Sequence, residues 1–187
     1  MAEEGTGMFK VSVLVGSLRG ASINREYARA LEKLGADLFA FDYPDLDLPL
    51  YNEDLWADPP SGVLALKESL AAADAVLFVT PEYNRSFTPA IKNAIDWGSR
   101  PVGEDSWRDK PAALTGATPG GVGTAVAQNH LRQVVVGRGM VLMGQPELYY
   151  QLTPGALDAE YNFTNPKTAQ LMRGFLEAFA GWVAKHR

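Results

Sequence analysis

Short apolar runs alternate with segments of helical spacing along most of the chain. Residues 9–15 form a β-branched run that Gly16 interrupts. From Ile23 the apolar positions fall at Tyr27, Ala28, Leu31 and Leu34, three or four apart, which predicts an amphipathic helix. Residues 36–41 read as a second short strand. Residues 42–60 are proline-rich, with six acidic side chains and no Lys or Arg, and read as a long irregular connection too rigid and acidic for the core. A helix is expected over 62–73 and a third apolar strand over 75–80. Thr88-Pro89 marks the next helix start, with Thr as N-cap and Pro in the first turn, and Ile91, Ala94 and Ile95 on one face. Residues 111–115 read as a fourth strand, 116–123 as a glycine-rich turn, 124–136 as a helix and 140–143 as a fifth strand. Leu171, Met172, Phe175, Leu176, Phe179, Trp182 and Val183 give the apolar stripe of a closing helix.

Strand–helix alternation implies parallel strands, because each crossover helix returns the chain to the same sheet edge. The expectation is one domain over residues 1–187: a three-layer, doubly wound α/β fold on a five-stranded parallel sheet. In such sheets ligands sit outside the carboxyl ends of the strands, at the switch point in strand order. That singles out the loops after strands one, three and four.

Charge and composition narrow the partners. The formal net charge of −5 argues against a nucleic-acid partner, which usually meets a basic face. The chain has no cysteine, which removes thiol catalysis, thiolate metal sites and Fe–S clusters, and no metal site is expected. The first residues are acidic and lack the apolar core of a secretory signal. No apolar run approaches the roughly 18 residues of a membrane span. A cytoplasmic protein is expected.

The first loop, residues 16–24, joins a buried strand to a helix start, where unpaired N–H groups and a partial positive charge suit a phosphate. Ser17 and Ser22 add hydroxyls, Asn24 an amide and Arg19 a forked cation. One cation among neutral donors fits a single phosphate. The G-x-x-x-x-G-K-[ST] and G-x-G-x-x-G patterns are absent. Ser22 reads equally as a plain helix cap. In the second loop, residues 80–88, Pro81 stiffens the backbone, Tyr83 offers a flat ring and Asn84 an amide. That set suits a flat heteroaromatic ligand, and also an ordinary surface turn. The third loop, 115–123, carries four glycines that allow close backbone approach.

The usual acid–base sets are missing. The two histidines, His130 and His186, lie in no nucleophile or metal motif, and His130 reads as a helix-face residue. Glu82 and Asp96 are a conceivable carboxylate pair, with a salt link the expected role of Asp96. Convergent binding loops without a catalytic set leave the chemistry to a cofactor.

At these loops the sequence resembles the NADPH-dependent FMN reductase family, the flavodoxin-like group that includes bacterial chromate and quinone reductases. The residues that carry the likeness are Gly16-Ser17-Leu18-Arg19 with Ser22 and Asn24, and Pro81-Glu82-Tyr83-Asn84 running into Pro89, Lys92 to Trp97 and Ser99-Arg100-Pro101. Lys110-Pro111, Thr118, Gly120, Gly123 and His130 to Gln133 continue it, and Leu48-Pro49-Leu50-Tyr51-Asn52 matches the loop after the second strand.

The resemblance implies FMN at the carboxyl edge of a sheet ordered 2-1-3-4-5, an order and location the flavodoxin fold itself exemplifies. Ser17, Arg19, Ser22 and Asn24 would hold its phosphate. Pro81, Glu82, Tyr83 and Asn84 would line the ribityl chain and ring, and Thr118, Gly120 and Gly123 would approach the ring's other side. Hydride would pass from the C4 of NADPH or NADH to flavin N5 and on to a small-molecule acceptor: a quinone, free flavin or a metal oxyanion such as chromate. The flavin carries this chemistry, and no protein nucleophile is implied. The family also implies a homodimer or homotetramer, with residues 84–101 near a subunit contact. Ala117 stands where relatives often have serine, and Val126 where some have an arginine used between subunits. A flavodoxin-like electron carrier without NAD(P)H turnover, and a flavin-free regulator on the same fold, are the competing readings.

Overall fold

The computed structural model describes residues 8–187. β1 (Phe9–Val15), β2 (Phe39–Asp42), β3 (Ala75–Val79), β4 (Pro111–Thr118) and β5 (Val141–Leu142) run parallel in the order β2-β1-β3-β4-β5, the expected flavodoxin-like order. Further along β4, a sixth short strand, β6 (Tyr149–Gln151), pairs in the same direction.

The period of two along the strands sorts side chains into two cores. Val11, Val13 and Val15 of β1, Leu77 and Val79 of β3, and Ala113 and Ala117 of β4 face one side. There they meet Tyr27, Ala28 and Leu31 of α1 (Ile23–Gly35) and Phe175, Leu176, Phe179 and Val183 of α5 (Pro166–His186). Leu14, Val76, Phe78, Ala112 and Leu114 face the other side. They pack on Leu66 and Leu70 of α2 (Ser61–Ala72), Ile91 and Ile95 of α3 (Pro89–Gly98), and Leu131 and Val135 of α4 (Ala125–Gly137). Burial of each such Leu, Phe or Val contributes roughly 1.5–3 kcal/mol. The fully buried β3 reads as an unbroken apolar run because helices cover both its faces.

Four expectations need correction. Residues 36–38 close the end of α1, where the Leu38 N–H donates to the Gly35 carbonyl at 2.9 Å, so β2 starts only at Phe39. Residues 116–118 continue β4 instead of opening a turn, because β6 arrives to pair with them. The fifth lane of the sheet is accordingly split between β5 and β6. The segment 42–60 does reach the core: Leu46 is 3% exposed and packs with the second cluster. The same segment forms a 3-10 turn over Glu53–Ala57, started by Asn52, whose Oδ1 accepts from the Asp54 N–H at 3.1 Å.

The motif Lys92 to Trp97 explains that segment's order. Asn93 Nδ2 donates to the carbonyls of Leu48 (3.2 Å) and Pro49 (2.9 Å), and its Oδ1 accepts from the Tyr51 N–H (2.8 Å). Trp97 Nε1 donates to the Pro49 carbonyl at 2.8 Å. Lys92 and Asp96 pair at 2.7 Å, so Asp96 forms the salt link expected of it. His130 lies exposed on α4, its Nδ1 3.2 Å from Ser86 Oγ. No helix among the described residues is long and apolar enough to cross a membrane. The acidic stretch 1–7 lies outside the described residues.

Candidate active site

The carboxyl ends of β1, β3 and β4 point the same way, and the loops after them meet at one edge of the sheet. The last rungs are the Gly16 N–H donating to the Val79 carbonyl (2.9 Å) and the Thr80 N–H donating to the Thr115 carbonyl (2.9 Å). Beyond them the strands diverge, and a cleft opens with about 600 Å3 of empty space, its mouth included. Of the residues singled out from the sequence, Ser17, Arg19, Ser22, Asn24, Pro81, Glu82, Tyr83 and Thr118 line it. Ala21, Ile23, Ala117 and Pro119 complete the wall. Their apolar side chains carried no signal of their own.

The first loop is rich in unsatisfied donors. Among the described residues, the backbone N–H groups from Ser17 to Asn24 find no acceptor in the chain. Arg19 is exposed and makes no ion pair or hydrogen bond with another described residue, and the Ser17 hydroxyl is likewise without a protein partner. Ser22 caps α1, its Oγ accepting from the Arg25 N–H at 3.2 Å, and its hydroxyl proton stays available to a ligand. Capping and ligand binding are therefore compatible at this serine. Asn24 is different. It is 1% exposed, and both ends of its amide are engaged by Ala117, Nδ2 to the carbonyl at 2.8 Å and Oδ1 from the N–H at 2.9 Å.

One helical turn further, Tyr27 is buried, its hydroxyl 2.9 Å from Thr115 Oγ1. Loss of solvent pushes its phenol well above the usual tyrosine range, so it stays neutral.

The second loop is a tight hairpin. Tyr83 and Ser86 exchange both backbone hydrogen bonds, at 2.9 and 3.0 Å, around Asn84 and Arg85, whose φ angles are 49° and 66°. Two left-handed residues in a two-residue connection make a type I′ turn. Asn accepts that conformation readily, whereas Arg does so with strain. The turn leaves Tyr83 49% exposed at the rim of the cleft, and Asn84 projects beyond the lining. Thr88 occupies the cap position of α3, but its hydroxyl does not bond the helix and is buried without a partner.

In the third loop Thr118 Oγ1 accepts from the Gly120 N–H at 3.3 Å. Gly120 is exposed and outside the lining. Gly123 lies against β6 with φ +60°, and a Cβ there would sit 2.7 Å from the Tyr149 carbonyl carbon. Its role in the geometry is close backbone approach to β6.

Comparison with known proteins settles the relationship. The sequence pattern described as NADPH-dependent FMN reductase matches residues 9–153. The chain belongs to that family. A 2-hydroxy-1,4-benzoquinone reductase of a Burkholderia species is 44% identical over 179 residues, 95% of this chain and 98% of that protein. A quinone reductase of Pseudomonas putida is 42% identical over 182 residues, 96% of this chain and 97% of that one. FerB, a flavoenzyme NAD(P)H:(acceptor) oxidoreductase from Paracoccus denitrificans, superposes with a TM-score of 0.93 at 46% identity, covering 96% of this chain and 99% of its own. At the level of fold alone, a flavodoxin-type WrbA-like protein from Agrobacterium tumefaciens matches with a TM-score of 0.60 at 21% identity, over 96% of this chain and 99% of that one.

As a member of the NADPH-dependent FMN reductase family the protein is an oxidoreductase that works with FMN and a reduced nicotinamide nucleotide. The residues present fit the FMN phosphate. An unpaired guanidinium, two hydroxyls and a run of free N–H groups at a helix start are the donor set that a monoester dianion needs.

Proposed function

We propose that the chain folds as one FMN-binding domain over residues 1–187 and reduces quinones at the expense of NADPH or NADH. The observation that carries this reading is the cleft at the carboxyl edge, with Arg19, Ser17 and the N–H groups of 17–24 left without protein partners among the described residues. The names of the two quinone-reductase relatives and of FerB support the acceptor class. Free flavin and metal oxyanions such as chromate are the further acceptors that this reading puts forward.

In this reading Ser17, Arg19 and Ser22 hold the phosphate, and Asn24 fixes the wall beside it. Pro81, Glu82, Tyr83 and Asn84 present their loop to the ribityl chain and the ring, Glu82 through a backbone N–H that has no acceptor among the described residues. Thr118 lines the opposite wall, and Gly120 and Gly123 let the loop that follows it approach the ring's other side. FMN bound there supplies the hydride chemistry, accepting from the nicotinamide and passing reducing equivalents to the acceptor. The protein's own work is to orient the stacked partners and to keep ordered N–H donors where negative charge develops. No side chain is needed as nucleophile or base. A cytoplasmic homodimer or homotetramer, with residues 84–101 near the subunit contact, completes the proposal.

The purified protein loaded with FMN should oxidise NADPH only when a benzoquinone is supplied. Failure to retain FMN, or a stable blue semiquinone on dithionite titration with negligible NADPH oxidation, overturns it, the latter in favour of an electron carrier.

A further inference from the structure

The amino end of α4 has no cap of its own. Thr124 stands at the cap position with φ +68°, and its hydroxyl faces away from the first-turn N–H groups, accepting instead from Gln128 Nε2 at 2.9 Å. The first turn contains no acidic residue. A helix start left in this way exposes orphan donors and an uncompensated partial positive charge.

A side chain from another loop supplies both missing elements. The Ala127 N–H donates to Glu82 Oε2 at 3.2 Å, and the Glu82 side chain is only 10% exposed. Its other oxygen lies 3.6 Å from Arg85 Nη1, inside the same hairpin. Glu82 is thus turned toward α4 and shared between the ring-side hairpin and the helix that follows the glycine-rich loop.

The position of Ala127 gives this contact its consequence. At the near end of the same segment, Ala117 is held by Asn24 through two hydrogen bonds. The span 118–126, with its glycines, therefore runs between two side-chain clasps, Asn24 at Ala117 and Glu82 at Ala127, and is held between them only on the β6 side, where the Leu152 N–H donates to the Thr118 carbonyl at 3.0 Å and Gln151 Nε2 to the Pro119 carbonyl at 2.9 Å. Between them the N–H groups of Gly121 and Val122 have no acceptor among the described residues.

We propose that Glu82 is a positioning residue, whose carboxylate caps α4 in trans and so fixes the glycine-rich loop that follows Thr118 and Pro119 of the cleft wall relative to the Tyr83 hairpin. The inference rests on the functional reading above for its effect on turnover, but the clasp itself is a property of this chain alone. Loss of the clasp loosens the wall opposite the ring while the phosphate loop, held by α1 and Asn24, stays in place.

The test compares Glu82→Ala and Glu82→Gln. In the flavin-free protein, amide exchange at Ala127 and at the hydrogen-bonded amides of Gly123 and Ala125 should accelerate about fivefold or more in E82A, the factor expected from one lost helix cap. In the FMN-loaded enzyme, quinone turnover should fall by about the same factor while the FMN dissociation constant moves less than about twofold. The glutamine side chain keeps one acceptor oxygen, so E82Q should recover most of both losses. Unchanged exchange at Ala127 in E82A overturns the proposal, as does an E82Q no better than E82A or an equal loss of turnover and FMN affinity. If wild type itself fails to hold FMN, the functional reading falls while the exchange measurement still decides the clasp.

Discussion

Asn24 extends the sheet by one rung on behalf of Ala117. β3 makes its last contact with β4 where the Thr80 N–H meets the Thr115 carbonyl, and two residues later the same side of β4 faces an edge with no strand beside it. The Asn24 amide fills that place, bonding the N–H and the carbonyl of Ala117 as a neighbouring strand would. The helix after the first loop is thereby tied to the strand before the third. Asn24→Ala leaves two buried backbone groups unpaired, and each such group costs about 1–3 kcal/mol. Urea unfolding should show a loss of about 2–6 kcal/mol at unchanged m-value, well beyond what an exposed Asn→Ala produces.

The parallel sheet and the cleft at its carboxyl edge were legible because both rest on periodicity, whereas the order 2-1-3-4-5 was implied by the family resemblance. β3 is a continuous apolar run and β1 and β4 are largely apolar, and the loops that follow them change abruptly to Ser, Arg, Pro, Tyr and Gly. What escaped the sequence was decided by contacts made at a distance. β6 carries no apolar alternation, its three residues being exposed or half-buried, and it exists because β4 offers an open edge. Leu46 sits among prolines and aspartates, yet it is drawn inward because Asn93 and Trp97 pin the backbone just after it. Glu82 and Asn24 lie in the ligand loops and line the cleft, but nothing in the sequence signals what their side chains also bond. Their carboxylate and amide bond backbone groups that only the folded chain brings near.

Gly116 reads as a turn residue but marks the closest approach between two loops. A Cβ built on it would lie 2.0 Å from the Thr80 carbonyl oxygen, a backbone atom that cannot swing away. A Cβ on Gly120 would meet only Thr118 Oγ1, at 3.7 Å. Gly116→Ala should therefore lose more than about 2 kcal/mol of stability, whereas Gly120→Ala should stay within about 1 kcal/mol of wild type by urea unfolding. Similar losses for the two would show that the strand ends yield more easily than this spacing implies.

Asp37 gives the fold a measurable acid limb. The Arg173 guanidinium hydrogen-bonds both of its carboxylate oxygens, at 2.5 and 2.8 Å, and holds its carboxyl below the usual aspartate range. A depressed carboxyl contributes stability that is fully present above the unfolded value, about 3.9, and is lost as pH falls through the folded value. The Tm gap between wild type and Asp37→Asn should be open at pH 7 and close progressively below about pH 4. Because the pair is exposed the gap should be small, and a gap that widens on acidification would contradict the pairing.

Arg19 is the only side-chain cation lining the cleft among the described residues. A charge-assisted contact to a phosphate is worth about 1.5–3 kcal/mol, so Arg19→Ala should raise the FMN dissociation constant roughly 10- to 150-fold. Arg19→Lys keeps the charge but loses the planar fork, and should recover part of the affinity. Fluorescence titration of free FMN reads both values. An unchanged constant in Arg19→Ala would remove Arg19 from the phosphate site.

Tyr83 divides binding from turnover. The type I′ turn at Asn84 and Arg85 fixes the hairpin, while the ring of Tyr83 remains half exposed at the cleft mouth, where an incoming quinone would meet it before reaching the floor. An aromatic contact of this kind contributes about 0.5–1.5 kcal/mol beyond its buried area. Tyr83→Ala should therefore lower kcat/KM for a benzoquinone between about twofold and tenfold, while FMN affinity shifts by a smaller factor. Tyr83→Phe retains the ring and should stay close to wild type in the same assay. Equal losses of quinone turnover and FMN retention in Tyr83→Ala would place the ring on the cofactor instead of the acceptor path. No change in either would leave it outside the site.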